Sequence, residues 1–157
     1  MLPPSFRDVE LLLDKLRERH EPMLARRFAC ECVRRIWTKV ESQHQQYVKP
    51  EVVDQCRRAV ELTERSIVGP VPDDEIRAIA FDVITDHGDD AFIAAAHVGW
   101  NLFAPFNGLP EIDEFESARQ TALSVVWVTS YDEINYQTAR LQYLISECDP
   151  PYPNNVQ

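Results

Sequence analysis

Hydrophobic residues recur at helical spacing along almost the whole chain. Between residues 23 and 45 they fall at the i, i+3, i+4 and i+7 positions that one buried helix face requires. The short run Val125–Val128 alone would suit a strand, but the helical pattern before it favours a helix. The pattern therefore predicts an all-α protein, folded as a single compact bundle of about six to seven helices.

Caps and helix breakers place the ends of these helices. Gly and Pro fall between the periodic segments, and two pairs, Ser5 with Asp8 and Ser130 with Glu133, have the spacing of N-terminal capping boxes. The region 105–110, rich in Pro and Gly, is predicted to be a loop. The predicted helices cover about residues 5–20, 23–45, 50–69, 73–88, 89–103, 112–128 and 130–148.

The length of 157 residues fits one domain. We expect residues 1–149 to form it, with a subdivision near 69–72 left open, and residues 150–157 to form an extended Pro-rich tail. No apolar run approaches the roughly 20 residues of a membrane helix, no secretory signal is visible, and four cysteines are too few for a disulfide framework. These features predict a cytoplasmic protein without membrane association.

Charge is distributed unevenly along the chain. Residues 1–70 contain 13 basic and 11 acidic residues, whereas residues 71–157 contain 3 and 15, which together give the net charge of −10. An acidic half repels nucleic acid and favours a basic protein partner. The residues expected to bind that partner are acidic side chains and two aromatic anchors: Asp73, Asp74, Glu75, Asp113, Glu114, Glu116, Trp127 and Tyr131.

Arginines cluster on the second and third predicted helices. Arg pairs carboxylates or phosphates with two parallel hydrogen bonds, so the cluster either binds an anion or pairs with acidic groups of the protein itself or of a second copy. The residues proposed for this role are Arg27, Arg34, Arg57 and Arg58. On the outer face of the third helix, i, i+4 spacing also predicts the pairs Asp54–Arg58, Arg57–Glu61 and Glu61–Arg65.

Two groups of residues raise the question of a metal. Cys30 and Cys32 are two apart, so on a helix they point about 200° from each other and cannot grip one ion; Cys30 is the thiol expected to be more exposed. Oxygen and imidazole ligands at a helix–helix corner form the better candidate: Asp86, His87, Asp89, Asp90 and His97. Because most of these residues also fit helix caps, we expect neither a metal nor another cofactor.

The stretch from Arg27 to Trp37, R-F-A-C-E-C-V-R-R-I-W, is followed by R-R-A-V-E-L-T-E-R at residues 57–65. These segments resemble a family of uncharacterised bacterial proteins that carry an R-x-F-A-C-x-C-x-R-x-W helix and then an R-x-A-V-E-x-x-E helix. The resemblance covers residues 24–76 and implies no reaction, because no activity is known to us for the family. The family often has a further Cys where Val33 stands here.

The sequence thus predicts a small acidic helical module for protein–protein interaction, of the kind an immunity protein or antitoxin uses against a basic toxin. No nucleophile elbow, phosphate loop or dinucleotide fingerprint is present, which favours a protein that is not an enzyme. Two alternatives stay open. One is a metal-dependent helical hydrolase that uses the cluster at residues 86–90 with His97, and the other is a structural module that assembles with itself, for example as a homodimer.

Overall fold

A computed structural model of the protein describes residues 4–44, 50–79 and 97–148. Within these ranges the chain forms helices and no strands, so the all-α prediction is confirmed there. The helices are α1 (Phe6–Glu18), α2 (Pro22–His44), α3 (Pro50–Val68), α4 (Asp73–Arg77), α5 (Trp100–Asn107), α6 (Glu114–Val128) and α7 (Asp132–Cys148).

Helix α2 lies in the middle of the bundle and packs against α1, α3, α6 and α7. An ion pair between Arg26 and Glu114 joins the first turns of α2 and α6, so these two helices run in the same direction. Helix α1 runs opposite to α6, because Arg17 contacts Asp113 and Arg119 contacts Glu10. Since α7 also returns antiparallel to α6, α1 and α7 run side by side in the same direction.

Apolar faces of these helices form one core. Its largest fully buried side chains include Phe28 and Ile36 of α2, Leu16 of α1, Phe103 of α5 and Leu141 of α7. The helix faces predicted from the periodicity therefore point inward on α1, α2, α6 and α7. On α3 the buried face also includes Val52 and Leu62, which the spacing argument missed.

Two predicted helix boundaries are wrong. Helix α4 was predicted to continue to residue 88, but it ends at Arg77, with Ala78 as its C-cap and Ile79 in a bend. Helix α5 continues through Pro105 to Asn107, where a loop was predicted, and it ends at Gly108 in the left-handed conformation (φ 63°). Residues 80–96, with most of the predicted fifth helix, and the tail 150–157 lie outside the described residues.

Gly99, the N-cap of α5, leaves room for the ring of Phe103 in the same helix and for the side chain of Thr63 on α3. A Cβ atom at this position would lie 2.4 Å from Cε2 of Phe103 and 3.2 Å from Oγ1 of Thr63. The i, i+4 spacing of Ala95 and Gly99 predicts a close neighbouring backbone here. The atoms nearest to Gly99 are instead side-chain atoms of Phe103 and Thr63, and Ala95 lies outside the described residues. None of the helices in the described ranges combines the length and apolarity that a bilayer crossing needs.

Candidate functional site

Most of the acidic residues predicted to bind a partner pair with arginines of the protein itself. Glu75 accepts two hydrogen bonds from Arg65, at 2.8 and 2.9 Å. Glu114 lies 3.4 Å from the Arg26 guanidinium, and Glu116 contacts Arg119 at 2.6 Å. Hydrogen bonding to Arg119 lowers the pKa of Glu116. These carboxylates therefore hold the bundle together in addition to any role at its surface.

Asp113 is the N-cap of α6. Its carboxylate accepts a hydrogen bond from the backbone N–H of Glu116 at 2.7 Å and contacts Arg17 at 3.2 Å. Burial acts to raise the pKa of Asp113, but these hydrogen bonds outweigh it and the pKa is lowered. By contrast, Asp73 and Asp74 are exposed at the start of α4, and their carboxylates make no hydrogen bond or ion pair with the described residues.

A ladder of ion pairs joins α2 to α7. Its three α2 residues are one helical turn apart, and each contacts a different position of α7 in antiparallel order. Arg27 lies 3.8 Å from Glu147, Glu31 accepts hydrogen bonds of 2.6 and 2.7 Å from Arg140, and Arg35 donates bonds of 2.9 and 3.1 Å to Glu133. We call these six residues the α2–α7 ladder.

Tyrosines stack beneath two arginines of the ladder. The Arg35 guanidinium carbon lies 3.6 Å from the ring centroid of Tyr136, and that of Arg140 lies 5.0 Å from Tyr143. Glu133 is only 7% exposed, and its carboxylate accepts hydrogen bonds from Arg35. The predicted capping box, in which this carboxylate would bond to the backbone N–H of Ser130, is therefore wrong. A charged partner on α2 outcompetes the local cap, because Arg35 offers two charge-assisted hydrogen bonds.

The other arginines predicted to pair or to bind an anion also contact carboxylates. Arg34 donates hydrogen bonds of 2.9 and 2.6 Å to Glu64 on α3. Arg57 and Arg58 both contact Asp54, at 3.4 and 3.1 Å. The predicted Asp54–Arg58 pair is therefore present, whereas Arg65, predicted to pair with Glu61, reaches the acidic start of α4 instead.

The prediction that Cys30 is exposed is wrong. Cys30 is 3% exposed because it lies on the face of α2 that packs against α3, between Arg26 and Arg34, which both contact α3. Burial raises the pKa of the Cys30 and Cys56 thiols to about 12, and that of Cys32 well above its ordinary value. Such thiols stay protonated at neutral pH and are poor nucleophiles and metal ligands.

Of the candidate metal ligands, only His97 lies within the described residues; Asp86, His87, Asp89 and Asp90 do not. His97 Nδ1 lies 3.5 Å from Ser124 Oγ on α6, and the Ser117 hydroxyl donates a hydrogen bond to the His97 carbonyl oxygen. Burial lowers the pKa of His97. Across the described ranges, no three His, Cys, Asp or Glu side chains are grouped closely enough to hold a metal ion.

The two predicted aromatic anchors are exposed at one corner of the bundle. Trp127 is 73% exposed in the last turn of α6, and Tyr131 is 82% exposed one residue before α7 begins. Both belong to the same tight connection, and the exposed Asp132 follows directly. We call Trp127 and Tyr131 the aromatic corner. Its rings are available to contact a partner without any rearrangement of the core.

A groove of about 930 Å³ lies between α1 and α7. Leu11, which is 46% exposed, and Leu12 supply apolar surface, and three carboxylates but only one lysine line the groove. Sequence analysis missed this feature. The run Leu11-Leu12-Leu13 carried the signal, because three consecutive leucines on a helix cannot all face one core.

Comparisons with models of protein families, with curated protein sequences and with solved structures find no match. The geometry and charge of the described residues are therefore the basis of the functional argument below.

Proposed function

We propose that this protein is a helical protein-binding module that contacts a basic partner protein through the aromatic corner. The observation that carries the proposal is the exposure of two large aromatic side chains where α6 gives way to α7: Trp127 in the last turn of α6 and Tyr131 just before α7. Large aromatic side chains are enriched among the residues that dominate binding energy at protein interfaces. Exposed rings also attract Lys and Arg side chains through cation–π contacts.

Charge supports the choice of a basic partner. The chain carries a net charge of −10, and its arginines are largely engaged in ion pairs with its own carboxylates. The negative excess therefore faces the solvent at positions such as Asp73, Asp74 and Asp132, which are exposed. A field of this sign steers a positively charged protein toward the surface and repels nucleic acid.

This proposal changes the role of the predicted acidic residues. Glu75, Asp113, Glu114 and Glu116 are constrained by arginines of the same chain, so they contribute to the field but offer little direct contact. The direct contacts come from the aromatic corner. An immunity or antitoxin role against a basic toxin is one form that such binding takes.

The test is affinity capture from the native host with matched baits. Wild-type protein, a Trp127→Ala/Tyr131→Ala double variant and a Tyr143→Ala control are immobilised, and bound proteins are eluted by a salt step and identified by mass spectrometry. Tyr143 is also exposed on α7, at 52%, but it lies away from the aromatic corner. We expect a basic protein with the wild type and the control, and its loss with the double variant. Equal recovery on all three baits would refute the proposal.

A further inference from the structure

The exposed face of α7 connects the aromatic corner to the groove between α1 and α7. Asn135, Thr138 and Gln142 are spaced by three and four residues, so they form one stripe along α7. Tyr131 precedes the helix by one residue, four positions before Asn135. Thr138 and Gln142 line the groove. The stretch from Tyr131 to Gln142 is about 16 Å long, which corresponds to three helical turns.

The opposite wall of the groove comes from α1. Arg19, just after α1, donates a hydrogen bond to the carbonyl oxygen of Ile145 in the last turn of α7, at 3.3 Å. The start of α1, with Pro4 and Ser5, consequently lies toward the aromatic corner. The end of the groove at Pro4 and Ser5 is therefore the end nearer to the aromatic corner.

Charged and apolar groups alternate along this wall. Leu11 and Leu12 present apolar surface, and the groove lining carries three carboxylates, Asp8, Asp14 and Glu18, beside one lysine, Lys15. Asp8 accepts a hydrogen bond from the Ser5 backbone N–H at 2.7 Å, and Asp14 contacts Arg17 at 3.1 Å while half of its side chain stays exposed. Glu18 is exposed, and its carboxylate makes no hydrogen bond or ion pair with the described residues. At the floor of the groove, the buried Thr138 Oγ1 has no hydrogen-bond partner within the described ranges.

We infer that this groove receives a basic amphipathic segment of the partner protein, about three helical turns long. Apolar side chains of the segment contact Leu11 and Leu12, and its Lys or Arg side chains face Asp8, Asp14 and Glu18. An acidic segment would be repelled by the same carboxylates. This inference rests on the proposed function, since it names the part of the partner that extends from the aromatic corner.

The test uses a synthetic 14-residue peptide with leucines at i, i+3, i+4 and i+7 spacing and lysines elsewhere. A second peptide has glutamate in place of every lysine and keeps the same leucines. Fluorescence anisotropy of each labelled peptide is measured against the full-length protein. We expect the basic peptide to bind at least tenfold more tightly than its acidic counterpart, since binding depends on charge as well as apolar contact.

Variants locate the binding surface. Leu11→Ser and Glu18→Lys are each expected to weaken binding of the basic peptide by about tenfold, whereas the same changes on α3, Val68→Ser and Glu61→Lys, leave it unchanged. Val68 and Glu61 are exposed, as are Leu11 and Glu18, so all four variants are expected to fold. Equal affinity for all variants, or equal binding of both peptides, would overturn the inference.

Two further outcomes separate this inference from the proposed function. If Leu11→Ser and Glu18→Lys baits still capture the host partner that the Trp127→Ala/Tyr131→Ala bait loses, the groove is not used and the proposed function stands. If peptide binding depends on Leu11 and Glu18 but the Trp127→Ala/Tyr131→Ala bait captures the same host proteins as the wild type, the proposed function fails and the groove remains a peptide-binding site. Dimerisation in analytical ultracentrifugation that Leu11→Ser abolishes would assign the groove to a second copy and overturn the inference.

Discussion

Gly99 is a residue at which a single added methyl group has almost no room. The Cβ of Gly99→Ala would lie 2.4 and 2.7 Å from ring atoms of Phe103, which is fully buried and cannot move without disturbing the core. We predict that Gly99→Ala lowers the free energy of unfolding by about 1–3 kcal/mol, the usual cost of overpacking. Urea denaturation followed by circular dichroism measures the change.

Gly69→Ala is the matched control for this prediction. A Cβ at Gly69 would meet no atom within 4 Å, and the residue has no positive φ. We expect Gly69→Ala to leave the unfolding midpoint unchanged or to raise it slightly, because alanine restricts the unfolded chain. Similar losses in both variants would show that the contact with Phe103 does not set the cost of the substitution at Gly99.

The lowered pKa of His97 makes the stability of the folded protein depend on pH. Burial lowers its pKa in the folded protein below the ordinary value of 6.5, so the unfolded chain takes up a proton first as the pH falls. The neutral His97 imidazole therefore makes its full contribution to the free energy of unfolding above pH 6.5, and this contribution is lost as the pH falls below 6.5. The groups around His97 are Ser124, Trp100, Arg119 and Glu116.

We predict that the wild type loses more stability between pH 7.5 and 5.5 than His97→Gln does. Glutamine keeps a polar side chain but does not titrate. The described carboxylates with lowered pKa, Glu75, Asp113 and Glu116, lose their contribution only at more acidic pH. Urea denaturation of both proteins at the two pH values gives the difference. The same loss in both proteins would mean that His97 is solvated as in the unfolded chain.

Among the helices, the α2–α7 ladder makes a quantitative prediction. Glu31 and Arg140 are each less than 30% exposed and form two short hydrogen bonds. A double-mutant cycle with Glu31→Ala and Arg140→Ala is expected to give a coupling energy of about 1 kcal/mol. The exposed pair Asp54–Arg58 within α3 is the comparison, with a few tenths of a kcal/mol.

Equal coupling in the two cycles would show that the ladder behaves as an ordinary surface ion pair. The ladder matters for the fold because it fixes the register of two helices that are far apart in sequence, which apolar packing alone specifies less strictly.

Helices and their buried faces could be predicted from the sequence because periodicity is a local property. The observed bounds of α2 and α3 differ from the predicted ones by about one residue at most. For α3 the reason is that Pro50 favours the first helical position and Gly69 ends the helix. The α2–α7 ladder could not be predicted in this way. Its residues have the required spacing within each helix, but only the bundle shows that α2 and α7 are antiparallel neighbours.

The same reason explains what the sequence missed at the candidate site. Trp127 and Tyr131 were predicted as exposed aromatic anchors for a basic partner, and the structure places both at the surface. The acidic residues were expected to be available, but which carboxylates meet an arginine depends on helix packing. Cys30 was predicted to be exposed because α2 was considered to have one buried face, whereas α2 contacts four other helices.

At the scale of the whole molecule, the charged side chains fall into two groups. Arginines and carboxylates that pair with each other form one group, and the carboxylates in excess over the basic residues form the other. Because arginines and carboxylates pair within the bundle, the net charge of −10 governs long-range attraction. Once a basic partner is captured, we predict that its association rate falls by about tenfold between 10 mM and 150 mM salt, as the Debye length shortens. Stopped-flow mixing measures this rate, and a rate independent of salt would exclude electrostatic steering.

The central claim is that a basic protein contacts the aromatic corner, and site-specific photo-crosslinking in the native host tests it most directly. A photoreactive phenylalanine analogue replaces Tyr131 in one strain and Val68, an equally exposed residue on α3, in another. The account predicts a crosslink to a basic protein from position 131 and none to that protein from position 68. The absence of any crosslink from position 131, or the same products from both positions, would contradict it.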